Sequence, residues 1–189
     1  WGNQNEQTWA SDRWNSTDLG SLQAAIFRGA GVTVPKGVCV RLGERGELST
    51  CFNPETLRYE ALWKDGFLKF SSVRHGFMDG GLMAGDALPT PASRVVPPGA
   101  TYRGFYRYGR QVAFLYRVGE TDWLDVPHVK DGAFDSLAAP LDGHPLRSLT
   151  QGGPPQWAQV FEIPGQPGSG GPYVVDRIPP RSEEHTSEL

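Results

Sequence analysis

From Lys36 the apolar and polar positions fall into a period of two. Val38, Val40 and Leu42 alternate with Gly37, Cys39 and Arg41, which is the signature of a half-buried strand. Gly43-Glu44-Arg45-Gly46 reads as a turn, and Leu48 to Phe52 runs back. Centring this hairpin on Arg45 pairs Leu42 with Leu48, Val40 with Thr50 and Val38 with Phe52 on one face. Cys39 then falls opposite Cys51 on the other face. A slip of one residue would break the apolar pairing, so the pattern selects this register.

The same alternation predicts further strands. Leu57–Trp63 and Phe67–Phe70 flank the turn Lys64-Asp65-Gly66. Tyr102–Tyr108, a Gly109-Arg110 turn and Gln111–Val118 form the strongest hairpin signal, with Val112, Phe114, Tyr116 and Val118 on one face. Trp123, Leu124 and Val126 continue it. Leu19 to Phe27 fits either a short helix or a strand, ended by Gly29 and Gly31. Leu88–Gly99 is a Pro-rich connection, residues 138–155 read as loop, and Trp157–Ile163 reads as one more strand. Pro164–Pro172 has the composition of a linker.

Composition agrees with many turns: 24 Gly and 16 Pro among 189 residues favour short strands over a helical bundle. The fold class expected is mostly β, an antiparallel, jelly-roll-like β-sandwich with long loops and little helix. A net charge of −3 lacks the basic field that a nucleic-acid partner would select. No apolar run approaches the length of about 18 residues that a membrane-spanning helix needs.

Chemistry-bearing residues are sparse. Cys39 and Cys51 are the only cysteines; the proposed register permits a disulfide between them, and equally two free, buried thiols. Without Cys-x-x-Cys-His, no covalent haem site is present in this sequence. His75, Asp79 and Asp86 are the one candidate metal set. However, His75 to Gly81 is Gly-rich, and the i, i+4 spacing converges only on a helix. His128 and His144 sit in Pro/Gly surroundings and read as solvent-exposed. Asp122 and Asp125 flank Trp123, as carboxylates do in sugar-cleaving sites, but residues three apart on a strand face opposite ways. No Gly-x-Ser-x-Gly elbow occurs, and Gly168-Ser169-Gly170 belongs to the linker.

The aromatics offer a binding surface. Regular alternation places Tyr102, Tyr106 and Tyr108 on one strand face and Arg103, Phe105 and Arg107 on the other. Rings with a polar edge suit stacking on sugars or docking of another domain. Tyr102, Tyr106, Tyr108 and Trp123 are therefore the candidate binding residues, with a role in the core as the competing reading, which also applies to Trp63.

The segment KGVCVRLGERGELSTCFNPETLRYEALWKDGFLKF, residues 36–70, resembles the signature of a bacterial domain of unknown function. That domain precedes a glucose/sorbosone-dehydrogenase-like β-propeller and a c-type cytochrome module in large secreted proteins. The resemblance runs through Lys36-Gly37, Arg41-Leu42-Gly43, Cys51-Phe52-Asn53, Leu57-Arg58, Trp63 and Gly66-Phe67-Leu68. Arg13-Trp14-Asn15 and Asp18-Leu19-Gly20 are similar to its lead-in, and Tyr102-Arg103-Gly104 and Tyr116-Arg117-Val118-Gly119 to its later hairpin. Pro172-Tyr173-Val174-Val175-Asp176 resembles the approach to the propeller. Asn53 departs from the Asp expected after Cys-Phe. The family brings no established catalytic residues to carry over. It implies a periplasmic or extracellular location, with intramolecular propeller and cytochrome domains as partners. No cofactor is implied in this chain; haem c, with or without a quinone, would lie in the downstream domains.

The last nine residues, Arg181 to Leu189 (RSEEHTSEL), resemble the in-frame translation of a short-read sequencing adapter. Glu183, Glu184 and His185 are accordingly set aside from candidate chemistry. The expected organisation is a lead-in at 1–20, truncated before Trp1, and a β-sandwich at 21–163. A linker at 164–172, the start of a downstream domain at 173–180 and the adapter-like tail at 181–189 follow. The function expected is a non-catalytic accessory module of a secreted dehydrogenase-like cytochrome that engages polysaccharide or docks the propeller. A free-standing glycan-binding domain and a piece of a carbohydrate-active hydrolase are the alternatives.

Overall fold

The computed structural model describes residues 17–70, 79–91 and 96–140. Among them there is no helix. The strands in chain order are β1 (Leu22–Gly29), β2 (Val32–Leu42), β3 (Leu48–Asn53), β4 (Arg58–Lys64), β5 (Leu68–Phe70) and β6 (Gly81–Met83). Then come β7 (Asp86–Leu88), β8 (Thr101–Tyr108), β9 (Gln111–Val118), β10 (Thr121–Lys130) and β11 (Ala133–Pro140). They form two open sheets, one of seven strands in the order β5-β6-β1-β2-β3-β4-β7, the other of four in the order β11-β10-β9-β8. This is the all-β, antiparallel-dominated class that the alternation predicts, consistent with a β-sandwich. Among the described residues there are two compact units: those up to 96 together with 129–134, and 97–128 together with 135–140.

The register of the first hairpin is the one the pattern selects. Leu42 lies opposite Leu48, Val40 opposite Thr50, Val38 opposite Phe52 and Cys39 opposite Cys51. The segment that fits either helix or strand is β1, tied to β2 by the two-residue turn Ala30-Gly31. Both turn residues have positive φ, 50° and 77°, as the right-handed twist of a tight hairpin demands. Asp131-Gly132 repeats this geometry between β10 and β11, with φ of 50° and 76°.

Two expectations change. β2 was expected to be half-buried, yet Val38, Cys39 and Val40 are all buried, and so are Leu48 to Phe52 of β3. The Cys39 face supplies a core of its own: Phe27, Val34, Cys39, Cys51, Ala61, Trp63, Phe67 and Leu68 pack together. Trp63 is its centre, stacked on Phe27 at 5.2 Å between ring centroids and on Phe67 at 6.3 Å. Its indole N–H donates to the Phe67 carbonyl at 2.8 Å. The second change concerns Lys64-Asp65-Gly66, which turns the chain without making a hairpin. β4 pairs with β3 and β7, whereas β5 pairs with β6. β6 in turn joins β1 in parallel, through Phe27 opposite Gly81 and Arg28 opposite Leu82.

In the four-stranded sheet, two-residue turns at Gly109-Arg110 and Gly119-Glu120 join β8 to β9 and β9 to β10. Gly109 and Gly119 have φ of 56° and 59°. Val112 to Tyr116 of β9 are all buried, so both faces of this strand are covered. The expected strand at 157–163, the linker at 164–172 and the segment 173–189 lie outside the described residues.

Candidate functional site

The candidate aromatic surface is rearranged by one irregularity in β8. Tyr102 lies opposite Tyr116, but the register shifts before Gly104, which lies opposite Leu115. Tyr106 then lies opposite Ala113 and Tyr108 opposite Gln111. Directly opposed residues share a face, and successive residues alternate. Tyr102 therefore shares the face of Phe105, Phe114 and Tyr116, while Tyr106 belongs to the other. The expectation that the three tyrosines share one face fails, because a bulge inserts an extra residue and reverses the alternation beyond it.

What the bulge creates is a different row. Trp123 of β10 also lies opposite Tyr116, so Tyr102, Tyr116 and Trp123 line up across three adjacent strands. Tyr116 and Trp123 stack with centroids 6.3 Å apart and planes 12° from parallel. Tyr116 is buried, while Tyr102 and Trp123 on either side are half-buried. Burial pushes the Tyr102 phenol well above its ordinary range. Tyr106 is buried and belongs to the core, and Trp123, for which the core was the competing reading, is half-buried.

The opposite face carries an ion pair. Arg117 donates to Asp122 through Nε at 2.7 Å and through a terminal nitrogen at 3.0 Å, a bidentate pair between directly opposed residues. These bonds, with the Asp122 charge, favour the charged guanidinium further. Asp125 faces the other way, opposite Phe114, and is buried. The two carboxylates do not converge, in line with their spacing.

The candidate metal set is not assembled among the described residues. His75 lies outside them. The Asp79 carbonyl accepts a hydrogen bond from Arg28 Nε at 3.1 Å, and Asp86 is exposed at the start of β7, opposite Lys64. No group of three metal-ligating side chains occurs among the described residues.

Cys39 and Cys51 are both buried and both free thiols. Burial, then the hydrogen bond that the Cys39 thiol donates to Cys51, raises the Cys39 thiol well above its usual value.

His128 is the side chain that sequence reasoning missed. It was expected in solvent, but its side chain is only 10% exposed. Nε2 lies 3.5 Å from Asp135 Oδ2 across the β10–β11 hairpin, and Nδ1 lies 3.3 Å from the Val126 carbonyl. The signal available was Asp131-Gly132, a two-residue hairpin turn that brings residues 128 and 135 near each other. His144 lies outside the described residues.

Comparison with protein families, with curated proteins and with solved structures finds no match for this chain.

Proposed function

We propose that this chain is a non-catalytic accessory β module of a secreted or periplasmic dehydrogenase-like c-type cytochrome. In this reading the module holds polysaccharide near the redox domains through the row Tyr102, Tyr116 and Trp123. The observation that carries the binding role is the exposure profile of that row. A buried Tyr116 braces two half-exposed rings, one stacked on it at 6.3 Å, and a braced ring loses little side-chain entropy when a sugar stacks on it. The redox context rests on the motif order in residues 13–176 alone. A non-catalytic role is supported by how the carboxylates beside Trp123 are used. Asp122 is held by Arg117 on the face away from the row, and Asp125, on the face of the row, is buried at 1% exposure.

Two measurements test the proposal. Calorimetric titration of the full chain with soluble polysaccharides should give binding that Trp123→Ala and Tyr102→Ala each weaken by about tenfold or more, the loss of roughly 1.4 kcal/mol. Binding that survives both substitutions, or no binding at all, would remove the polysaccharide role. Sequencing the gene beyond the codon for Pro180 tests the context. A propeller followed by Cys-x-x-Cys-His is the expected result, and a stop codon shortly after Asp176 would refute it.

A further inference from the structure

We infer that Cys39 and Cys51 are a disulfide-forming pair, closed by exchange with a disulfide-bearing oxidant while the β2–β3 hairpin is open. Cys39 and Cys51 are direct partners in an antiparallel ladder, and such partners have α-carbons about 4.5–5.5 Å apart. A disulfide accepts about 4.4–6.8 Å, so the hairpin holds the cysteines at bridging distance without moving its backbone. The two side chains also share one core cluster. Gly37 makes room there for the Cys51 sulfur. A β-carbon at that position would lie 2.7 Å from the Cys51 sulfur, so the sulfur rests against a bare α-carbon. No third cysteine competes for either partner.

The burial that brings the thiols together also sets when they react. Both are 2% exposed or less, in the cluster of Phe27, Trp63 and Phe67. Exchange requires a thiolate in reach of an oxidant, and burial opposes both conditions. The reaction therefore belongs to the open hairpin. There one cysteine thiolate attacks a sulfur of the oxidant's disulfide, forming a mixed disulfide and expelling one thiolate. The second cysteine, deprotonated, attacks the mixed disulfide at the protein sulfur and expels the other thiolate. The two protons lost by the cysteines end on the two thiols released. The protein is oxidised by two electrons, and one oxidant disulfide is reduced.

The test uses the full chain, purified reduced and exposed to glutathione disulfide, with and without subdenaturing urea. Thiols are counted by alkylation and mass spectrometry under denaturing conditions. The inference expects a monomer that has lost both alkylatable thiols, forms several-fold faster in the urea, and melts at a higher temperature than the reduced chain. Cys39→Ala and Cys51→Ala should instead each accumulate a single glutathione adduct in urea, which shows that each cysteine is reached. Two glutathione adducts persisting on the wild-type chain, disulfide-linked dimers, or an oxidised monomer melting below the reduced one would each overturn the inference. If a single-cysteine variant fails to fold, the mass and melting point of the oxidised wild-type chain still decide.

Discussion

Replacing Trp63 by Phe probes the core at its most constrained point. The indole is fully buried, stacked between Phe27 and Phe67, and donates a 2.8 Å hydrogen bond to the Phe67 carbonyl. Phe keeps a ring in the stack but takes away the donor. The Phe67 carbonyl keeps a second hydrogen bond, from the Ala84 N–H at 3.0 Å, so losing the indole donor costs about 0.5–1.5 kcal/mol, and the void where the larger ring stood adds about 1 kcal/mol. The expected loss is thus about 1.5–2.5 kcal/mol. Trp123→Phe is the control, because Trp123 is only half-buried, and a change there is expected to cost under about 1 kcal/mol. Urea unfolding of the full chain, followed by far-ultraviolet circular dichroism, reads both. With a slope of about 1–3 kcal/mol per molar urea, Trp63→Phe should lower the midpoint by about 0.5 M or more at unchanged slope. A Trp63→Phe midpoint within about 0.3 M of wild type, or a larger shift for Trp123→Phe, would refute this account of the core.

Leu57 and Tyr102 supply two more tests. Leu57 is buried at a φ of 55°, so Leu57→Gly relieves about 1–2 kcal/mol of backbone strain but gives up about 1.5–3 kcal/mol of burial and adds unfolded-state entropy. A net loss of about 1–2 kcal/mol is expected in the same urea assay, and a Gly variant as stable as wild type would show that the side chain contributes little there. Tyr102 is an acid whose folded value is raised by burial above the ordinary phenol value of about 10. Between those two values the unfolded chain has lost a proton that the folded chain retains, so stability is intact below about pH 10 and falls as pH rises toward the folded value. Tyr102→Phe should flatten that alkaline fall in thermal melts taken from pH 9 to 11, whereas a wild-type profile already flat there would contradict the burial.

The sequence discloses most where polarity alternates and least where it does not. The β2–β3 register was legible down to the Cys39–Cys51 pair because a slip would set Val38, Val40 and Leu42 against polar partners. β6 and β7 were not legible, since three residues each (Gly81–Met83 and Asp86–Leu88) carry too few positions to show a period. β11 was hidden as well: AFDSLAAP does not alternate and ends in Pro. In the candidate site, alternation set Tyr102 and Tyr106 on one face, and the structure parts them. Tyr-Arg-Gly at 102–104 contains the flexible residue that a bulge favours, with Gly104 at a φ of 137°. Nothing in a strict period of two can register that extra residue. Tyr116, the buried brace of the row, appeared only as one member of an apolar face.

β9 differs from β2 and β3 in what fixes its alignment. Val112, Ala113, Phe114, Leu115 and Tyr116 are buried without a polar position among them, so sliding this strand by one residue exchanges one apolar set for another. Polarity cannot tell the two alignments apart. The count of residues in the turns must do so, and Gly109-Arg110 and Gly119-Glu120 hold that count at two on each side. The five residues between Leu42 and Leu48 are free to absorb a change in chain length, because the strands they join carry their own alignment code. Around β9 the connectors themselves are the ruler, and one residue added there by insertion would propagate into the pairing of both neighbouring strands.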